Sequence, residues 1–316
     1  MMRVAVLDDY QGAARASDAW TALAGRAEVV FFSDSVRGRA LVERLAAFDA
    51  VVLMRERTPV PRAVIEALPR LVLIVSSGRA NAALDTEAAC EQGIVTCGTV
   101  GLAGVTATVE HTWALILAVV RGVATEHDTI RDGGWMRGVP PQLAGRTLGV
   151  VGLGNLGRLI PPVAYSLGMQ VVAWSRNMTP ADADAVGVRY AAYDEFFATA
   201  DVVTLHLKLS DRSRHYIGEA ELQAMRPGSF LVNTSRGGVL DTQALLRALD
   251  HGPLAGAALD VFDEEPLPLE HPLRRHPKCL VTPHMGYVSD ASYAEYYAQI
   301  VEDLMAYLDG APIRTW

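Results

Sequence analysis

Short runs of aliphatic and β-branched residues alternate with segments of helical spacing along almost the whole chain. Strand-like runs fall at 4–7, 29–32, 50–53, 71–75 and 94–97, with amphipathic stretches such as 41–46 and 61–68 between them. Pro61 stands where proline favours the first turn of a helix. The runs are apolar throughout rather than alternating, which is the pattern of parallel strands covered by helices on both faces. A second series follows at 147–151, 171–174, 202–207, 230–233, 255–259 and 280–282. Between the two lies an apolar helix-forming segment, 106–121, and then a stretch containing Gly133, Gly134, Gly138, Pro140 and Pro141. A last segment, 291–308, predicts a terminal helix with a mixed face. The pattern predicts an α/β chain with two doubly wound parallel-sheet domains, without repeats or low-complexity tracts.

Length agrees with that division, because 316 residues exceed what one hydrophobic core usually organises. Half the residues are apolar and 20% are charged, which excludes a disordered chain. The formal net charge of -8 argues against nucleic acid as a partner, but a few arginines in a cleft can still hold a small anion. Cys90, Cys97 and Cys279 show neither CxxC pairing nor metal-ligand spacing, so no metal site is expected and a reducing compartment is the natural setting. The N-terminal residues enter a strand-like run directly, without the layout of a signal peptide. The longest uninterrupted apolar run, 113–120, is too short to span a bilayer. A cytoplasmic protein with no membrane partner is expected.

The clearest motif is Gly152-Leu153-Gly154-Asn155-Leu156-Gly157, directly after the strand-like run 147–151. Glycines there permit a tight turn, close approach of backbone to a pyrophosphate, and a helix packed near the strand. The helix N-terminus then presents unpaired N–H groups and a positive dipole end to phosphate. Alone, G-x-G-x-x-G is a weak signal, but a preceding strand, a following helix-forming segment and a second strand at the right distance make it a dinucleotide site. Where an NAD site usually carries a carboxylate for the ribose, this chain has Ser175, followed by Arg176 and Asn177. No acid opposes a 2′-phosphate and Arg176 can bond one, which favours NADP over NAD. The alternative is that Arg176 is solvated and NAD binds through other contacts.

Three more segments carry unusual chemistry at strand ends: Asn233-Thr234-Ser235-Arg236-Gly237-Gly238, Asp260-Val261-Phe262-Asp263-Glu264-Glu265-Pro266, and Thr282-Pro283-His284-Met285-Gly286. Each alone has an ordinary reading, as a surface ion-pair partner, a solvated acidic loop and a structural histidine. In this order and downstream of a dinucleotide loop, they resemble the D-isomer-specific 2-hydroxyacid dehydrogenase family, over nearly the whole chain. The resemblance implies hydride transfer between NADPH or NADH and C2 of a small 2-keto or 2-hydroxy acid. It gives Arg236 the substrate carboxylate and carbonyl, and His284 the proton delivered to the carbonyl oxygen. It also implies that Glu265 bonds the imidazole, fixes its tautomer and favours its charged form.

The same resemblance assigns the substrate carboxylate to the backbone of Arg79 and Ala80, within residues 76–81, and places Arg55 at the substrate cleft. The family commonly has glycine at position 80 and an Asp-Asn pair at positions 82 and 83, so this loop departs from the pattern. Arg79 is an extra cation that either reads a second anionic group or covers the cleft mouth, and Arg55 has an ordinary ion pair as its alternative. Leu207, Lys208, Thr108, Thr234, Ser235, Asp260 and Gly286 are implied on the cofactor side, Asp260 through the carboxamide. A discontinuous, flavodoxin-like substrate domain is implied at 1–101 and 286–316, a Rossmann cofactor domain at 102–285, and a homodimer as the assembly. A formate-dehydrogenase-like enzyme typically lacks a glutamate at the position of Glu265, and a non-catalytic cofactor-sensing corepressor on the same scaffold is the other alternative.

Overall fold

The computed structural model describes residues 1–316, which form two compact units: Met1–Gly104 with Ser289–Trp316, and Val105–Val288. The first contains β1 (Met2–Val6), β2 (Ala27–Phe31), β3 (Ala50–Leu53), β4 (Leu73–Ser76) and β5 (Val95–Gly98). They pair in parallel in the order β2-β1-β3-β4-β5. The order reverses between β1 and β3, the switch point at which flavodoxin-like sheets open to ligands. Two non-glycine residues just beyond these two strands, Asp8 and Arg55, adopt left-handed φ of 57° and 53°. That conformation is costly outside glycine and concentrates where a chain is held for function.

The second unit contains β6 (Thr147–Val151), β7 (Gln170–Trp174), β8 (Arg189–Tyr190), β9 (Val202–Leu205), β10 (Ser229–Asn233), β11 (Leu254–Leu259) and β12 (Cys279–Val281). Its order is β12-β11-β10-β9-β6-β7-β8, all parallel. Neighbouring residues of each strand serve opposite cores. Val151, Val172, Val203, Leu231 and Ala257 pack on one face, and Val150, Val171, Val202, Val232 and Ala258 on the other. With both faces covered, polar residues do not alternate with apolar ones, which is why these strands read as mostly apolar runs. The two-residue β8 escaped the sequence reading because it is too short to show a pattern.

The apolar helix expected at 106–121 spans Ala103–Arg121. Its length and composition would suffice to cross a membrane, a test that core helices of soluble proteins also pass. Here Trp113, Leu115, Ile116 and Val120 are buried in the core of the second unit. The glycine- and proline-rich stretch after it has no regular structure and leaves Trp135, Met136 and Val139 exposed. The terminal helix, Asp290–Leu308, belongs to the first unit and starts with a Ser289 cap on the amide of Ser292.

Candidate active site

β6 is bonded to both β7 and β9, so the strand order of the second unit reverses at β6 and the glycine loop leaves the sheet at that switch point. Gly152 has φ of +91°, and a Cβ there would lie 2.8 Å from the Leu207 side chain. At Gly157 a Cβ would lie 2.0 Å from the carbonyl oxygen of Gly152. These two glycines close the turn. Around Gly154, by contrast, nothing lies within 4 Å of the Cβ position, and the amides of Leu153, Gly154, Asn155 and Leu156 make no hydrogen bond within the chain. An open backbone with unpaired donors fits a dinucleotide pyrophosphate. The helix expected after the loop is broken in two: a 3-10 turn, Gly157–Leu159, and then Pro161–Ser166. Pro161 and Pro162 lack amide hydrogens, so no continuous helical ladder can run through them.

At the end of β7, Ser175, Arg176 and Asn177 follow one another, and Arg176 is exposed but held against Tyr216. Its guanidinium lies 4.1 Å from the centre of the Tyr216 ring, donates to the Tyr216 carbonyl at 3.2 Å and stands 3.7 Å from Glu221. Its backbone amide donates to the Tyr216 hydroxyl. Trp174 and Tyr216 pack with rings 5.6 Å apart, which anchors this platform to the core. After β9, Leu207 covers Gly152, while the carbonyl of Lys208 accepts from the Ser213 hydroxyl at 2.6 Å. His206 beside them is half-buried, and the loss of solvent around its ring pushes its imidazole down to about 3. Nε2 meets the Thr204 hydroxyl at 3.0 Å and Nδ1 has no partner.

The three chemistry-bearing segments leave the adjacent strands β10, β11 and β12, so one sheet edge brings them together. After β10, Asn233 ties the loop: its Nδ2 donates to the Arg236 carbonyl at 3.0 Å, and its Oδ1 accepts from the amide and hydroxyl of Ser235. Arg236 Nη1 donates to the Ser235 carbonyl at 2.7 Å. A Cβ on Gly237 would lie 2.0 Å from the Phe262 carbonyl carbon, so only glycine lets this loop press against the one after β11. In that neighbouring loop, Glu265 Oε1 accepts from the Phe262 amide at 2.9 Å, which turns Oε2 toward the third segment. His284 Nδ1 lies 2.6 Å from Glu265 Oε2. The histidine is held in a left-handed conformation, φ +50°, and its ring meets the Tyr287 ring edge-on at 5.8 Å between centroids.

The buried carboxylate of Asp260 accepts from donors within the chain: Oδ1 from His111 Nε2, the Thr282 hydroxyl and the Met285 amide, Oδ2 from the Gly286 amide. Burial alone would raise this carboxyl, but these donors outweigh it and hold the group below its ordinary value. Thr234 meets Thr112 at 2.8 Å, and Thr112 donates to the Thr108 carbonyl. Sequence reading missed His111 and Tyr287. His111 sits within an apolar helical run, where a lone histidine carries no signal, and Tyr287 lies just past the motif.

Arg79, Ala80 and Arg55 belong to the first unit, at the carboxyl ends of β4 and β3. The loop 76–81 is pinned by Gly78 N donating to Thr99, Arg55 N to Ser77, and Asn81 Nδ2 to the Arg55 carbonyl. Gly78 has φ +92°, and a Cβ there would lie 2.0 Å from Arg55 Nη1, so the Arg55 guanidinium lies against this loop. Arg79 and Ala80 are exposed and their amides have no acceptor in the chain. Arg55 also stands 3.7 Å from Glu56, so the ion pair left open by the sequence is present alongside the loop contact.

Residues 113–286 match the family described as D-isomer specific 2-hydroxyacid dehydrogenase, NAD binding domain. A glyoxylate reductase of Aeropyrum pernix is 35% identical over 77% of this chain and 75% of its own. A D-3-phosphoglycerate dehydrogenase of Bacillus subtilis is 31% identical over 86% of this chain, which spans 52% of that longer protein. The crystal structure of a phosphoglycerate oxidoreductase from Vibrio cholerae superposes with a TM-score of 0.92 at 36% identity, covering 98% of this chain and all of that one. The chain belongs to the D-isomer-specific 2-hydroxyacid dehydrogenase family and is an oxidoreductase with a nicotinamide cofactor.

One consequence of the site concerns stability. Below its ordinary value of 6.5 the imidazole of His206 gains a proton in the unfolded chain, while the folded chain keeps it neutral down to about 3. Its contribution to stability is therefore full above that range and lost as pH falls through it. Unfolding free energy should drop more steeply between about pH 6.5 and pH 4 in the native protein than in His206→Gln, and parallel curves in denaturant titrations would refute the burial effect.

Proposed function

We propose that the protein reduces the C2 carbonyl of a small 2-keto acid to the D-2-hydroxy acid, or runs the reverse reaction, with Arg236, His284 and Glu265 as the acting groups. The observation that carries this reading is the pairing of His284 Nδ1 with Glu265 at 2.6 Å, in a loop beside the one that bears Arg236. With Nδ1 committed to the carboxylate, Nε2 is the position that exchanges a proton with the substrate oxygen. The bound reduced nicotinamide supplies the hydride. Hydride arrival makes the oxygen an incipient alkoxide, and a cationic imidazole and a guanidinium already in place stabilise that charge. Arg236 also pairs with the substrate carboxylate, whose planar oxygens match its fork. In the first unit, the unpaired amides of Arg79 and Ala80, with Arg55 beside them, suit a carboxylate as well.

Compact polar substrates such as glyoxylate and hydroxypyruvate fit the small residues Ala80, Ala82 and Ala83, and the glyoxylate reductases among the relatives support that choice. For the cofactor, Ser175 in place of a carboxylate and Arg176 poised on Tyr216 support NADP over NAD. Gly152, Gly154, Asn155, Leu156 and Gly157 would hold the pyrophosphate, and Thr108, Thr234, Ser235 and Gly286 would flank the nicotinamide end.

Cofactor oxidation with glyoxylate, hydroxypyruvate, pyruvate and phenylpyruvate tests the reading. His284→Ala should lower kcat by about 10²- to 10⁴-fold, the usual worth of a positioned acid, and full activity would remove His284 from the reaction. Glu265→Gln, which takes away the carboxylate that orients the imidazole, should lower kcat for reduction, and unchanged turnover would contradict the pairing. Arg176→Ala should cut kcat/KM for NADPH by roughly tenfold, equivalent to one charge-assisted bond, and leave NADH little affected. A native preference for NADH would overturn the assignment of NADP.

A further inference from the structure

The grip on the catalytic histidine extends beyond Glu265. His284 lies in the five-residue segment from Thr282 to Gly286, and three donors of this segment, the Thr282 hydroxyl and the amides of Met285 and Gly286, converge on one buried carboxylate. Asp260 is 1% exposed. It accepts from the Thr282 hydroxyl at 2.5 Å, the Met285 amide at 3.0 Å and the Gly286 amide at 2.8 Å, on both sides of His284 in sequence. Its fourth donor comes from another element: His111 Nε2, on the helix Ala103–Arg121, is 3.2 Å from the same Oδ1 and 3.0 Å from the Thr282 hydroxyl. Since the Thr282 hydroxyl spends its hydrogen on Asp260, the Nε2–H of His111 is the donor in both contacts. Packing tightens the same joint. A Cβ on Gly286 would lie 3.1 Å from Asp260 Oδ2, 3.4 Å from Thr108 Cγ2 and 3.6 Å from His111 Cδ2.

We propose that His111 is a positioning residue: through Asp260 it fixes the backbone on both sides of His284 and so aims that imidazole. The role rests on the reading of His284 as the proton-exchanging group. A buried carboxylate that loses one of its donors is poorly solvated, and the chain relaxes to find another partner or the carboxylate takes up a proton. Either change loosens the Met285 and Gly286 amides. His284 then drifts from Glu265, because its left-handed φ of +50° is costly for a residue with a Cβ and persists only while the surroundings enforce it.

The test compares His111→Leu, which removes the donor, with His111→Gln, whose side-chain amide can restore it, and with Thr282→Val, which removes the other side-chain donor to the same carboxylate. The readout independent of turnover is the downfield Nδ1–H proton resonance of His284, assigned by its loss in Glu265→Gln. Leu and Val should move or broaden that resonance and lower kcat by about 10- to 100-fold, the effect of a small misplacement of a reacting group, with less change in KM. The Gln variant should restore both. An unmoved resonance in folded His111→Leu and Thr282→Val proteins would overturn the role, whatever happens to kcat. If the native protein turns over no keto acid and yet the resonance responds to the donor, the positioning role holds and the proposed reaction is what fails.

Discussion

A carboxylate 2.6 Å from one nitrogen of an imidazole decides what the other nitrogen can do. Glu265 does this for His284, and it can because its second oxygen is already tied to the Phe262 amide, so the side chain cannot swing away. The rest of the site follows from the need to keep that geometry. Gly237 lets the Arg236 loop lie against the Glu265 loop, and the left-handed turn at His284 brings its ring under the carboxylate. The energetic cost of that turn is borne by Asp260, whose four donors join a helix, a strand end and the loop itself.

Parallel topology supplies the proximity. Segments separated by some twenty to thirty residues in sequence converge because β10, β11 and β12 are neighbours running the same way, so their carboxyl ends share one edge. The glycine loop leaves the same sheet at its switch point. In the first unit the equivalent edge carries Arg55 and the loop around Gly78, locked together by Asn81, Ser77 and Thr99.

Much of this was legible in the sequence for a definite reason. Strands buried on both faces are apolar at most positions, so runs such as 148–151 and 202–205, broken only by Thr204, announce themselves and their order with helices implies a parallel sheet. Glycines demanded by close approach, at 152, 157 and 237, stand next to the groups they serve. Partners that depend on three-dimensional convergence were not legible. His111 is unremarkable in an apolar helix until folding sets it beside Asp260, and Tyr216 is forty residues from the Arg176 it supports. Asp260 shows the same limit from the other side: the motif marks it as important, but only the fold shows that its oxygens are engaged by the protein itself. The break after the glycine loop, by contrast, was written in Pro161 and Pro162.

Transfer of label tests the proposed reaction most directly. With cofactor deuterated at the hydride position of C4 and hydroxypyruvate as acceptor, one deuterium should appear at C2 of the D-hydroxy acid, and the label should not exchange with solvent. Product without deuterium at C2, or the L-product, would contradict an imidazole and a guanidinium acting together on that carbonyl.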